Sequence, residues 1–403
     1  MLDEFSRFLL DPALADQVRL LPGAFTRDRC LTLPRVAAMM ISGMCSSVQS
    51  ELDSFFGHLR GHAVRSREVS AQAFSKARRG FSARLFHLAS QHLLELASAH
   101  IDATRWNGFR VVAADASRLR VSTRSNAQLS PDHYAFALFL PGTDLTLHAS
   151  LHPADGSERQ MLFEALGQLD AEGDLLVLDR GYVGNTMVAA LDQRGLAFCL
   201  RADTRAWGCV EAFLRSDEHE RTVTLAAPTG LDAATYDLVR QPTQVRLVRD
   251  ITPNGHVRVL MTNLLDACRY PAEQFGALYH QRWRVEEAFK RIKHRLRLEA
   301  PTGLSYLALQ QDFAAKVLAD NLCVLLAARS QRPEAASRPN RIYAMGALKP
   351  ILAGCLLAIA HARAALPAVL ATIAKNRCRI QSGRSYPRPA RVKPHLHLAY
   401  KAA

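Results

Sequence analysis

Two aspartates and a glutamate carry the most informative chemistry in this chain. Asp115 ends the apolar run Phe109–Asp115 (FRVVAAD), and Asp179 ends Leu175–Asp179 (LLVLD). Each run reads as a buried strand, where a terminal carboxylate is costly unless it binds something. Singly, such an aspartate is also what a turn or helix cap would use. Glu286 lies within Tyr279–Glu299 (YHQRWRVEEAFKRIKHRLRLE), which reads as one helix. At about 100° per residue, Tyr279, Arg282, Glu286 and Lys293 share a sector roughly 60° wide. Leu278, Val285, Phe289, Ile292 and Leu296 form an apolar stripe beside it. The plainer alternative is an amphipathic helix with i,i+4 ion pairs. Against it, His280–Arg297 holds seven Lys/Arg and two Glu, too many cations for pairing along the helix, and Glu287 points away from Arg282 and Lys293. Carboxylate oxygens suit Mg²⁺ or Mn²⁺. Three carboxylates can hold two such ions about 4 Å apart, the arrangement for in-line attack on a phosphodiester.

The elements that must position these groups follow from periodicity. Residues 1–103 read as helical throughout. Ser70 is expected to cap a helix over Ala71–Arg79, Gly80 to stop it, and Ser82 to cap a second helix to His100, a pair resembling a helix-turn-helix. Seven Lys/Arg and one acid lie between Arg60 and Arg84; the plainer reading is a solvated helical face, and the net charge of the chain favours DNA contact. Strand-like runs follow at Phe109–Asp115, Leu119–Ser122, Leu145–Leu151, Leu175–Asp179 and Phe198–Leu200, with a helix at Leu162–Asp170. Arg221–Leu225, Tyr236–Val239, Val245–Val248 and Val257–Met261 are short runs between turn residues, read as an antiparallel β insertion. Pro271 starts a long helix to about Leu298, followed by Ala314–Ala328 and Ile351–Ala364. Lys375–Lys401, with eight Lys/Arg, no acid and three prolines, reads as extended.

At this point a family resemblance is plain. Tyr279, Arg282, Glu286 and Lys293 match the Y-x2-R-x3-E-x6-K signature of the DDE transposases of bacterial insertion sequences, the cut-and-paste branch with an RNase H-like catalytic fold. VVAADASRLRV around Asp115 and VLDRGYVG around Asp179 resemble that family's two aspartate motifs. AFSKARRGFS and the Arg/Pro-rich tail are also similar. Ala116 departs from the glycine that the family prefers there. The resemblance implies that Asp115, Asp179 and Glu286 are catalytic and bind two Mg²⁺ (or Mn²⁺) ions. It implies that Tyr279, Arg282 and Lys293 bind the DNA phosphates flanking the scissile bond. Related enzymes stack a flipped base on an aromatic of the insertion. Trp207 is the candidate for this, with a packed tryptophan as the plainer reading.

The expected architecture is therefore α/β, an RNase H-like mixed-sheet catalytic domain with a β-rich insertion, flanked by helical N- and C-terminal regions. Residues 1–103 are assigned to a helical DNA-binding domain, 104–204 plus 266–330 to the catalytic domain, 205–265 to the insertion, and 331–403 to a helical region with a basic tail. The 107 positions from Asp179 to Glu286 leave room for the insertion.

Composition agrees with this reading. The chain has 403 residues and 51 Lys/Arg against 37 Asp/Glu, a formal charge of +14, which points to a polyanionic partner. The expected partners are double-stranded DNA, as element terminal repeats and target, and a second copy in a homodimer. No membrane association is expected, because the longest apolar stretch, Pro350–Ala360, is too short to span. Asp3 and Glu4 stand where an export signal would carry cations, and the eight cysteines form no C-x-x-C pair. Both favour the cytoplasm of a bacterium, nucleoid-associated when DNA-bound. His148 and His152, with Glu158 nearby, lie in a strand-like pattern that does not align them for a metal. Nucleotide-motor, dehydrogenase and hydrolase motifs are absent. Two alternatives remain: a catalytically silent transposase-derived DNA-binding protein, and a same-fold metal-dependent nuclease without strand transfer.

Overall fold

The structure, a computed structural model, describes residues 1–27, 29–101, 104–121, 123–125, 128–130, 132–328 and 337–379. These form two compact units. One comprises the described residues of Met1–Ile101, Leu119–His133 and Lys290–Ala403, the other those of Asp102–Arg118 and Tyr134–Phe289.

The first unit opens with six helices: α1 (Leu2–Leu10), α2 (Pro12–Val18), α3 (Leu33–Ile41), α4 (Val48–Leu59), α5 (Ala71–Arg78) and α6 (Arg84–Ser98). Local chemistry sets several starts. Asp11, Thr32, Ser47 and Ser70 each accept a backbone N–H of the following helix's first turn, and Pro12 and Pro34 stand in the first turns of α2 and α3. Ser82 does not cap α6. Ala83 holds that position, and no side chain caps the helix.

The second unit is built on an eight-stranded sheet. Its strands are β1 (Arg110–Leu119), β2 (His133–Leu140), β3 (Leu145–Pro153), β4 (Asp174–Leu178), β5 (Ala197–Arg201), β6 (Glu220–Leu225), β7 (Thr243–Ile251) and β8 (Val257–Thr262). Their spatial order is β3-β2-β1-β4-β5-β8-β7-β6. β4 runs parallel to both β1 and β5, whereas β5–β8, β8–β7 and β7–β6 are antiparallel. All of β4 is buried, as expected of a parallel strand covered on both faces. The helices are α7 (Glu158–Ala165), α8 (Asn185–Gln193), α9 (Gly208–Arg215), α10 (Gly230–Thr235), α11 (Glu273–His280) and α12 (Trp283–Lys290). Phe275, Leu278 and Tyr279 of α11 pack on Val111, Val177, Cys199, Val248 and Leu260, so α11 covers the face formed by alternate residues of five strands.

Three helices complete the first unit: α13 (Tyr306–Ala328), α14 (Arg341–Leu356) and α15 (Ala360–Lys375). α13 is buried nearly all round from Ala308 to Ala327, and it packs against α3, α6, α14 and α15.

Several expectations need correction. Residues 290–328 belong with the N-terminal helices rather than with the sheet, because an α13 apolar on every side needs helices around it. The 205–265 block carries antiparallel strands, as expected of the insertion, and they join the same sheet: β8 hydrogen-bonds to the edge of β5. Tyr236–Val239 is no strand; it follows α10, and Asp237 has φ +53°. Ile351–Ala364 spans the end of α14 and the start of α15, broken at Ala358 with φ +59°. Ser122 and the tail beyond residue 379 lie outside the described residues.

Candidate active site

Strand register brings the two aspartates together. Ala113 of β1 lies opposite Val177 of β4, and both point to the face that α11 covers. Two residues on, alternation carries Asp115 and Asp179 to that same face; the strand expected to end at Asp115 runs on to Leu119, so Asp115 lies within β1, just beyond the residues paired with β4. Asp179 lies just past β4 but is still extended, with φ −82° and ψ 171°. Each holds its place with one oxygen: Asp115 Oδ1 accepts the Ala116 N–H at 3.0 Å, and Asp179 Oδ1 the Arg180 N–H at 2.7 Å. The other oxygens face Arg282. Its Nη1 lies 4.0 Å from Asp115 Oδ2, and its Nη2 lies 3.7 Å from Asp179 Oδ2 and 2.9 Å from Glu286 Oε1. Three carboxylates thus converge on one guanidinium, whose side chain is 4 % exposed. The Tyr279 hydroxyl donates to Asp179 Oδ1 at 3.2 Å.

The single long helix expected here is broken. Tyr279 ends within α11 and Glu286 sits in α12, with Gln281 and Arg282 in a turn between them; beyond Lys290 the chain widens into a π turn, Arg291–Arg295. The turn turns the Arg282 side chain inward among the acids. The cation excess also resolves: Arg284 pairs with Asp144 at 2.6 Å, and Arg291 with Asp320 at 2.9 Å. These acids are far away in sequence, so counting charges along one helix missed them. Lys293 lies in the π turn, in the first unit, with its Nζ 4.0 Å from Glu299 Oε1.

Trp207 is buried just ahead of α9 and donates its indole N–H to Asn185 Oδ1 at 2.6 Å. Its ring is used for packing, and in this arrangement it offers no face to a base. Trp283, at the start of α12, is 46 % exposed and stacks on His280.

Sequence reasoning missed two neighbours. Glu158, the first residue of α7, is close enough to Asp115 and Asp179 to act on them electrostatically. Tyr182 is fully buried beside the same acids, and its hydroxyl has no hydrogen-bond partner among the described residues. Its place in the Asp-Arg-Gly-Tyr motif was the available signal. Gly181 is explained by the same crowding, since a Cβ there would lie 3.0 Å from Glu158 Oε2.

The electrostatics follow from burial and excess negative charge. Burial pushes the Asp115 carboxyl up to about 7; the Arg282 charge opposes this, and Glu286 and Glu158 add to it. Burial and then Asp179 raise Glu158. The Tyr279 and Tyr182 phenols are also held up, chiefly by burial. Burial would weaken the charge on Arg282, but Tyr279, Asp179, Glu286 and Asp115 outweigh it and hold the guanidinium as a cation. Among the described residues, no three His, Cys, Asp or Glu side chains are gathered closely enough to enclose one ion, because Arg282 stands between the acids. The donor set still fits a hard divalent cation: every donor is a carboxylate oxygen, and a bound cation would offset the burial and the neighbouring acids that raise Asp115.

Comparison with known proteins gives the family. Residues 106–322 match the family described as transposase DDE domain. The chain is 25 % identical over 217 residues to the transposase InsG for insertion sequence element IS4 of Escherichia coli; this covers 53 % of the chain and 48 % of that relative, about half the relative's length. Among solved structures it resembles the piggyBac transposase in a synaptic complex with hairpin DNA, with a TM-score of 0.48 and 8 % identity over 91 % of this chain and 85 % of that one. No described helix is long and apolar enough to cross a membrane. With a match over more than half its length, a span that includes Asp115, Asp179 and Glu286, the chain belongs to the transposase DDE domain family.

Proposed function

We propose that this protein cuts DNA at the ends of an insertion sequence and joins the freed end to a second phosphodiester, with Asp115, Asp179 and Glu286 as its catalytic acids. The convergence of those three carboxylates on Arg282, two of them from adjacent parallel strands, carries this reading. The acids would hold two Mg²⁺ or Mn²⁺ ions, which supply an activated water and charge compensation at the scissile phosphate. Hydrolysis there breaks the P–O3′ bond and leaves a 3′-hydroxyl and a 5′-phosphate; that 3′-hydroxyl then attacks a phosphodiester of the opposite strand or of a target strand, forming a new P–O3′ bond as the attacked strand's own P–O3′ bond breaks and its 3′-hydroxyl leaves.

The chain's own groups supply positioning. Tyr279 orients Asp179 through its hydroxyl. Arg282 neutralises the acids and holds a positive charge beside the scissile phosphate. Lys293 supplies a further cation to the strand. The DNA ends bind the N-terminal helices. Of the seven cations at 60–84, Arg78 is buried against Asp312, Arg60 pairs with Glu68, and Arg67 pairs with Asp53. Arg65, Lys76, Arg79 and Arg84 remain exposed, with no ion pair among the described residues. The active assembly is a dimer on paired ends.

The test is a cleavage assay on DNA carrying this gene with its native flanks, in Mg²⁺ and in Mn²⁺, beside Glu286→Gln. We expect metal-dependent cuts at the element ends and loss of roughly 10³-fold or more in the variant. Binding without cutting in either metal would move the reading to a silent DNA-binding protein. Cuts without joined products would move it to a nuclease.

A further inference from the structure

The register that aligns the two catalytic aspartates continues across a third strand. Val177 of β4 lies opposite Cys199 of β5, as Ala113 lies opposite Val177. Two residues beyond each of these stand Asp115, Asp179 and Arg201. Alternation therefore places a carboxylate, a carboxylate and a guanidinium side by side across three neighbouring parallel strands, Asp115 within β1, Asp179 just past β4 and Arg201 at the end of β5. All three continue the face that Val111, Val177 and Cys199 present to α11.

The surroundings of Arg201 separate it from the other arginines there. Arg258 of β8 is committed, paired with Asp250 and lying 4.7 Å over the Tyr279 ring. Arg282 is taken by the three acids. The Arg201 side chain is half-buried and makes no hydrogen bond or ion pair among the described residues, yet its charge acts on the Tyr279 phenol. Its neighbours beyond the strand do not claim it: Asp203 accepts from the backbone N–H of Arg205 and lies 3.5 Å from that residue's guanidinium. Holding a half-buried guanidinium beside two catalytic carboxylates, with no acid of its own, makes sense where a third party brings negative charge. A guanidinium fork matches phosphate oxygens.

We infer that Arg201 binds a backbone phosphate of the DNA strand held at the Asp115–Asp179–Glu286 site; this rests on the transposase reading above. The row is then a divided surface: the carboxylates meet the scissile phosphate, and Arg201 fixes a neighbouring one, which sets where along the strand the cut falls.

The experiment pairs Arg201→Gln and Arg201→Lys with DNA ends in which single phosphates around the cut are replaced by neutral methylphosphonates. Binding is measured by gel shift and cleavage in the same samples. Arg201→Gln is expected to weaken end binding by about tenfold to a hundredfold, with an unchanged melting temperature, and Arg201→Lys by less. One methylphosphonate position should cost the wild type a similar factor and cost Arg201→Gln nothing more, because both changes remove one contact. Unchanged binding in Arg201→Gln, or additive losses at every phosphate, would overturn the inference. The transposase reading is judged separately, on wild-type cleavage: a wild type that binds but does not cut leaves the phosphate test intact, and one that neither binds nor cuts overturns both.

Discussion

Both units of this protein bury arginine against acid, and they do so to opposite ends. In the helical unit, Arg78 donates to Gln311, Thr302, the Ala308 carbonyl and Asp312, and its side chain is 5 % exposed. Each of its three nitrogens is answered, and one acid matches one base. In the sheet unit, Arg282 faces three carboxylates, leaves its Nε unanswered among the described residues, and stands by as the Asp115 carboxyl rises to about 7. The first arrangement is a finished cross-link. The second carries surplus negative charge, which is what a site awaiting a cation requires.

Paired substitutions would break or sharpen that contrast. Arg78→Ala should cost about 3–5 kcal/mol of stability, since it strands Asp312 in the interior; chemical denaturation would read it. Arg282→Ala should cost about 2 kcal/mol or less, because its three acids are partly exposed, while cleavage falls roughly a hundredfold. Equal stability losses would erase the distinction between cross-link and site. A smaller effect is expected at Gly276, where a Cβ would lie 2.1 Å from Asp250 Oδ1. Gly276→Ala must push aside the carboxylate that holds Arg258 over Tyr279, at about 1–3 kcal/mol, and Arg78→Ala should not interact with it in a double mutant. The smallest effect has the opposite sign. The Asp115 pKa is higher in the fold than in the unfolded chain, so its ionised form destabilises the fold, fully above pH 7 and progressively less as pH falls toward 4. Asp115→Asn should therefore melt higher than wild type at pH 8, with the gain fading by pH 4, while cleavage is lost. A variant that melts lower at pH 8 would mean that Arg282 satisfies Asp115 after all.

Much of the site was legible because its signals are local. Asp115 and Asp179 announce themselves as acids closing apolar runs, and Tyr279, Arg282 and Glu286 through their spacing. What could not be read depends on partners far along the chain. Arg78 looks like a DNA-facing cation until Asp312, 234 positions later, is brought to it. The 205–265 strands are recognisable as strands, but their addition to the β5 edge is a nonlocal pairing with no sequence mark. The break at Gln281–Arg282 contains neither Pro nor Gly, so the inward pull of three acids on Arg282 overrides local helix preference there. Arg201 was readable in part: it follows Cys199 by two, but only the register with β4 reveals what it stands beside.

The break between α11 and α12 and the π turn after Lys290 also change what the signature spacing means. Tyr279, Arg282, Glu286 and Lys293 are not four points on one regular spiral. They are separated by a turn and a widened coil. A deletion of one residue near Arg282 could heal the helix, and by ordinary helix criteria improve it, while swinging Glu286 about 100° away from the aspartates. The segment should therefore accept many substitutions on its outer side but no change of length. In a library of random variants, point changes and single-residue insertions or deletions over 279–295 would sort into two sharply different survival classes.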